Sequence, residues 1–327
     1  MILRCIVLCF IFFSCKENID TPSTSTMEEV SLWSVDESFI KEGAPFEYIE
    51  NPSFKAVPEI EDLADEDRLL LVKIEDEIRA YPYHYLNYSE VVNDRIGSIN
   101  YVASYCPQTK SGICFSGVVN NEKIPMIASG YLFKDNLVLS DLERENFWSQ
   151  MLITGIRGES FYKNISKIYS FETSWETVKK YFPQAKVYYQ NFLTEKSNLL
   201  NKKNTSSNWS SYIGVLEYGI ETKAYVFNHT NFAELTMYEI FEKKNNIIVV
   251  GDNNKKFFTA FYVPEEANLK LVKDKFPVIL EDDNGNMWDV FGESLGGNKE
   301  DKLKSPVFYN ADLWAWEYFF ENIEERQ

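Results

Sequence analysis

Cys106-Pro-Gln-Thr109 follows a β-branched and aromatic run, Ile99–Tyr105, which puts a thiol at the end of an expected strand. The thiolate is the reactive form, and a cation such as Lys110 beside the motif can lower a thiol pKa. Two features weigh against a redox centre. Gly112–Val119 reads as another strand and not as the helix a thioredoxin-like site needs, and Cys106 and Cys114 are too far apart for a Cys-x-x-Cys centre. The pair then reads as a structural disulfide, as an oxidising compartment allows, or two inert buried thiols, with thiol reactivity, metal binding and a pocket role as the alternatives. A copper or zinc site on Cys106 and His84 needs carboxylates such as Glu90 or Asp94 to reach a workable ligand number.

Glu90 and Asp94 stand four residues apart at the end of a short expected helix, Pro82–Val92, and paired carboxylates can serve acid–base chemistry. In so acidic a chain a solvated helix face explains that spacing more simply. His84 and His229 are the only histidines, and isolated histidines are mostly hydrogen-bonded structural residues. Asp282-Asp-Asn-Gly285 begins like a calcium loop but lacks the downstream Glu, so a hairpin turn is expected. No glycine-rich phosphate cradle, nucleophile elbow or metalloprotease helix occurs. Neither a metal nor a cofactor is therefore expected.

The elements that must position these residues read as mostly strand. Leu69–Ile74, Ile99–Tyr105, Ile247–Val250 and Phe257–Val263 are apolar, β-branched or aromatic runs. Turn chemistry is supplied by Asn93-Asp94 ahead of Gly97 and by Gly251-Asp-Asn-Asn254. Helical periodicity is clear only over Trp175–Phe182 and Trp314–Ile323. The expected class is α+β, mainly antiparallel β with a few short helices.

The chain also looks written twice. Leu69–Tyr81 lies over Ile213–Tyr225 without a gap, matching Glu77 with Glu221, Arg79 with Lys223 and Ala80-Tyr81 with Ala224-Tyr225. Asn146-Phe-Trp148 meets Asn286-Met-Trp288, and each half closes on a Trp-bearing helical segment. Two tandem lobes are expected, 33–192 and a degenerate 213–327, joined by a polar linker over 193–212.

The first lobe carries ordered motifs: Arg79-Ala-Tyr-Pro82, Asn87–Asp94, Tyr105-Cys-Pro-Gln-Thr109 with Ser111 and Phe115, Ser129-Gly130, Asn136–Asp141 and Phe147-Trp-Ser-Gln150. Over about Gly43 to Val187 they resemble the bacterial family called domain of unknown function 3179, with a fainter echo in the second lobe. The resemblance implies an exported domain and no established reaction. Where the family typically reads Trp-His-Glu this chain has Tyr88-Ser89-Glu90, and Thr109 stands where a second Cys is often found. A histidine-plus-cysteine metal site on those family positions would lack its histidine and one thiol here. If one lobe keeps a working pocket, that pocket is expected to contain Arg79, Tyr81, Glu90, Asn93, Asp94, Cys106, Thr109, Ser129 and Asn136.

Residues 1–14 form a short cationic start and an apolar run ending in Phe12-Phe13-Ser14-Cys15, which resembles a lipobox with Cys15 as lipid acceptor. The run is too short to span a bilayer, which takes about 20 apolar residues. Residues 15–32 read as a lipidated start and a polar tether. The signal holds one Arg and no acid, so the mature chain keeps 32 basic against 50 acidic residues, a net charge of −18. Such a surface repels phosphate backbones, so no nucleic-acid partner is expected. The expectation is a cell-envelope lipoprotein, periplasmic or at the outer-membrane surface, anchored to the membrane by its N-terminal lipid. It would bind an unknown small molecule or envelope protein; the rival is an extracytoplasmic enzyme or a copper or zinc thiol handler centred on Cys106.

Overall fold

The computed structural model describes residues 32–160, 163–190, 210–219, 221–241, 246–264, 267–295 and 302–327. The leader, Cys15 and almost all of the tether and linker lie outside the described residues.

Antiparallel strands β1 (Arg68–Ile74) and β2 (Glu77–Pro82) lead through one helical turn, α1 (Tyr83–Leu86), into a meander of β3 (Val91–Ile96), β4 (Ile99–Cys106) and β5 (Ser111–Ser116). A second meander follows: β6 (Met126–Phe133), β7 (Asn136–Asp141), β8 (Phe147–Ser149) and β9 (Thr154–Arg157). Then come β10 (Lys167–Ile168), β11 (Ser170–Ser174), α2 (Trp175–Tyr181) and β12 (Lys186–Tyr188). One sheet runs β11-β1-β2-β12, with β12 parallel to β2 and the short strand Phe54–Ala56 added beyond β12; beside it lie β10-β5-β4-β3 and β6-β7-β8-β9, the latter edged at β6 by Ile40–Lys41.

From Tyr212 onward, β13 (Tyr212–Glu217) and β14 (Lys223–Asn228) lead through a 3-10 turn, His229–Phe232, into β15 (Thr236–Phe241), β16 (Asn246–Asp252) and β17 (Phe257–Val263). Short strands β18 (Lys270–Leu271), β19 (Val278–Glu281), β20 (Met287–Asp289) and β21 (Ser294–Leu295) follow. The chain ends in β22 (Val307–Ala311), α3 (Leu313–Phe319) and β23 (Asn322–Arg326). Here the orders are β22-β13-β14-β23, with β23 parallel to β14, then β15-β16-β17 and β18-β19-β20-β21.

The fold is α+β and mainly antiparallel β, as the apolar patterning predicts. The run Leu69–Val72 of β1 is apolar because both faces are covered: Leu69 and Leu71 join one core cluster, Leu70 and Val72 another. Helix α2 starts at Ser174, whose hydroxyl accepts the Thr177 N–H and so satisfies one of the first-turn donors. On β13, Gly214 leaves room for Trp316 of α3; a Cβ there would stand 2.3 Å from the indole ring.

The core does not respect the midpoint of the chain. Leu69, Leu71 and Trp175 pack with Ile213, Phe258 and Phe291, while Phe115, Leu139 and Trp148 pack with Leu216, Tyr309 and Trp316. β11 lies against β17 and β22 against β5, and Leu32–Gln327 forms one compact unit. Both of these core clusters thus draw side chains from 33–192 and from 213–327.

Other expectations are corrected locally. The helix expected over Pro82–Val92 is a single turn, and Asn93 and Asp94 belong to β3 and not to a turn. The helix expected to reach Ile323 stops at Phe319, because the chain then pairs with the edge of β14. Pairing and burial override local propensity at both places. Asp282-Asp-Asn-Gly285 is the expected hairpin turn between β19 and β20: the Asp282 carboxylate accepts the N–H groups of Asn284 and Asn286, both at 2.9 Å.

Candidate functional site

Asp94 and Tyr101 are direct cross-strand partners on β3 and β4, and Tyr81 reaches the same place from β2 on the facing sheet. Both hydroxyls donate to Asp94 Oδ2, Tyr81 at 2.6 Å and Tyr101 at 2.7 Å, and lie 2.6 Å from each other. The Arg95 N–H donates to Oδ1 at 2.7 Å. Burial first raises both tyrosines above the ordinary phenol range; Tyr101 and Asp94 add to the effect at Tyr81, while at Tyr101 Asp94 adds to it and the hydrogen bond with Tyr81 opposes it, so both stay protonated donors. The carboxylate is fixed before any ligand arrives.

Asp94 and Tyr101 form the floor of a cleft of about 420 Å³. Asn51, Ser98 and Asn100 supply neutral polar groups on its walls, Arg95 is exposed beside Asp94, and the Lys123–Glu50 ion pair closes one side. Asn93 holds this architecture together. Its Nδ2 donates to the carbonyls of Ile49 (3.0 Å) and Met126 (2.7 Å) and its Oδ1 accepts the Met126 N–H (2.8 Å), tying the segment before Glu50 and the start of β6 to β3. All of its hydrogen-bonding capacity on that face is spent on positioning.

The remaining candidates do not join this cleft. Asn136, Thr109, Ser111 and Gln150 form a buried network: Asn136 Nδ2 donates to Thr109 Oγ1 and Gln150 Oε1, both at 2.9 Å, and Ser111 donates to Gln150 Oε1 at 2.8 Å. Ser129 donates to the Val138 carbonyl (2.6 Å) and accepts from the Tyr131 N–H (3.1 Å), closing the bulge where the β6–β7 register shifts and Gly130 takes a φ of +85°. Arg79 pairs with Glu77 and lies over the Phe54 ring, 3.9 Å from its centroid.

Cys106 and Glu90 are neighbours inside the first half. Burial pushes the Cys106 thiol up, with Glu90 adding to the effect and contacts to Thr109 and Leu137 opposing it; burial alone lifts the Glu90 carboxyl to about 7. A protonated, buried thiol is a poor nucleophile at neutral pH. The bridge allowed between Cys106 and Cys114 is not formed: both are free, and they join different core clusters on opposite faces of the β4–β5 sheet. Nor do Glu90 and Asp94 share an exposed helix face; Glu90 is buried with a φ of +57°.

Two features escape sequence reasoning. Tyr101 looks like one more aromatic in an apolar strand, and only its register opposite Asp94 reveals its role. Arg68, fully buried, pairs with buried Glu172 and donates to the Lys110 carbonyl and Ser210 Oγ, each at 3.2 Å, between the halves. The only sequence signal was a charge abutting the apolar run of β1. Among the described residues no three His, Cys, Asp or Glu side chains are grouped to hold a metal, and no helix is long and apolar enough to cross a membrane.

No curated protein and no solved structure matches the chain at a significant level. A family model matches residues 45–323, so the second half, expected to carry only an echo of the motifs, falls within the same family domain. The fold and motifs described above are therefore those of a member of this family, and the chain belongs to the family described as protein of unknown function, DUF3179.

Proposed function

We propose that the chain is an exported, lipid-anchored binding protein whose ligand is a small amine-bearing molecule held in the Asp94 cleft. The observation that carries this reading is the Asp94 carboxylate, fixed by two protonated tyrosines at the floor of an open polar cleft. A preorganised carboxylate loses little orientational freedom on binding a cation, and a site of this size suits a small metabolite. The neutral amides and hydroxyl of the walls give the rest of such a ligand hydrogen-bonding partners. The acidic surface, net charge −17 for the whole chain, favours cationic partners further. The leader and Cys15 support export and anchoring.

The test is thermal denaturation of the full chain with ethanolamine, putrescine, glucose or acetate. The amines raise the melting temperature in a saturable way, and Asp94→Asn abolishes the shift while folding normally. Equal stabilisation by glucose or acetate, or an amine shift that survives Asp94→Asn, overturns the reading.

We also infer that the two halves descend from one duplicated unit, of which only the first kept the cleft. The matched order of strands supports this, as do the corresponding strand runs β11-β1-β2-β12, within a five-stranded sheet, and β22-β13-β14-β23, a four-stranded one, each joining its fourth strand in parallel. So does the stacking of Tyr83 on Tyr105 and of His229 on Phe258, both with centroids 3.8 Å apart, just after corresponding strands. In the second half Glu239 of β15 faces Ile248 where Asp94 faces Tyr101 in the first, and Tyr225 donates to Glu217 of β13 instead, at 3.3 Å.

A further inference from the structure

A second cleft, of about 670 Å³, shares no lining residue with the first and, where the first mixes two carboxylates with two cations, is lined by cations and no carboxylate. Lys167 from β10 forms one wall, and the segment Lys302–Val307 leading into β22 forms the other. Three of its lining residues, Lys167, Lys302 and Lys304, are cations, which is unusual in a chain with 50 acidic and 33 basic residues. Lys302 lies 3.4 Å from Glu293. Among the described residues, neither Lys167 nor Lys304 has an ion-pair partner.

Lys167 is half-buried, its Nζ 4.3 Å from the centroid of the Phe308 ring, and its closest polar contact is the Ser170 carbonyl at 3.5 Å. A cation held against an aromatic face with so weak a hydrogen bond retains unused donor capacity. Burial holds its amine down at about 8, with the neighbouring Cys114 working the other way, the signature of an ammonium short of compensating charge.

The walls are fixed independently of any ligand. The Ser116 N–H donates to the Ser166 carbonyl at 2.7 Å, the Leu303 N–H to Gly292 at 2.9 Å, and the Tyr262 N–H to the Lys304 carbonyl at 2.8 Å. Tyr169 presents ring and not hydroxyl, because its hydroxyl is already engaged by Thr259 and the Val290 carbonyl, both at 2.5 Å. With Leu303, Pro306 and Val307 it makes the surroundings of the lysines largely apolar.

We propose that this cleft binds a small amphipathic anion, a carboxylate or phosphate on an apolar body, with Lys167 and Lys304 holding the anionic end and Tyr169, Leu303 and Pro306 the apolar one. An ammonium in partly apolar surroundings gains more from an anion than one in open water does, which makes Lys167 the main determinant and rim-exposed Lys304 the lesser.

Calorimetric titration of the full chain with benzoate, phenyl phosphate and uncharged benzyl alcohol tests this. One molar equivalent of an anion binds, at least tenfold tighter than benzyl alcohol, and the preference between benzoate and phenyl phosphate assigns carboxylate or phosphate. Lys167→Met weakens the anion at least tenfold. Lys304→Glu, a change at an exposed position that leaves the fold intact, weakens it severalfold and decides the matter if Lys167→Met does not fold. Lys223→Met, remote from the cleft, changes nothing. Absence of saturable anion binding, benzyl alcohol binding as tightly, or unchanged affinity in Lys304→Glu would each overturn the proposal, and none of them bears on the Asp94 cleft.

Discussion

His229 lies flat on Phe258, and burial, reinforced by the nearby Arg68 guanidinium and opposed by a hydrogen bond with Asn310, holds its imidazole down at about 3. The folded state therefore binds fewer protons than the unfolded chain below the ordinary value of 6.5, and the stability this group contributes is lost as pH falls from 6.5 toward 3. Glu90 has the opposite sign. Its carboxyl is raised from 4.5 to about 7, so its contribution is complete below 4.5 and lost as pH rises toward 7. Each slope is about 1.4 kcal/mol per pH unit, and the two cancel between pH 4.5 and 6.5. Chemical denaturation across that window should give a nearly flat profile from these groups. His229→Phe should become more stable on acidification there, Glu90→Gln less stable, and parallel profiles for wild type and both variants would contradict the assignment. A second expectation concerns the thiols: burial raises Cys106 and lifts Cys114 to about 12, so iodoacetamide at pH 7.5 should label neither in the folded chain and both after denaturation. Rapid labelling of Cys106 in the native protein would revive thiol chemistry. At this scale the sequence showed Asp94, Tyr81 and Asn93 as candidates, because carboxylates, tyrosines and amides announce themselves by type. It could not separate them from Asn136, Thr109 and Ser129, which fill the same chemical roles in internal hydrogen bonds.

Strands β1, β4, β16 and β17 follow from their apolar runs, since a segment covered on both faces needs apolar residues at every position. What the runs do not carry is register. Whether Asp94 faces Tyr101 or a neighbour depends on the length of the β3–β4 turn at Gly97, and one residue of slip would send the carboxylate to the opposite face. Close approaches between elements are equally silent in a single sequence. Gly112 accommodates the Tyr83 hydroxyl, which would stand 1.8 Å from an added Cβ, and Gly214 accommodates Trp316. Gly112→Ala and Gly214→Ala should each cost about 1–3 kcal/mol or more in denaturant titrations. A cost below a few tenths in both would mean the packing is looser than described. Arg68→Met strands Glu172 as an uncompensated buried charge and should cost about 3–5 kcal/mol, whereas adding Glu172→Gln should restore part of the loss. If the double variant is as unstable as the single one, the ion pair is not what holds the halves at this point.

At the scale of the whole molecule, two segments of similar element order are built into one unit through reciprocal contacts, β11 on β17 and β22 on β5. Local patterning gave the strands of both halves but not their interlocking, because a residue such as Leu69 looks equally apolar whichever half covers it. Residues 32–192 expressed alone should remain largely unfolded, with weakly dispersed amide signals; a well-dispersed spectrum would show that the half closes on itself. The two surface clefts lie apart from the internal network of Asn136, Thr109, Ser111 and Gln150. Of those clefts, the one above Asp94 carries the functional account. The direct measurement is calorimetric titration of the full chain with the amine that gives the largest thermal shift, in wild type, Asp94→Asn and Lys167→Met. Wild type and Lys167→Met should each bind one molar equivalent with the same affinity, and Asp94→Asn should bind at least tenfold more weakly. Undiminished binding by Asp94→Asn, or no saturable binding of any amine to wild type, would contradict it.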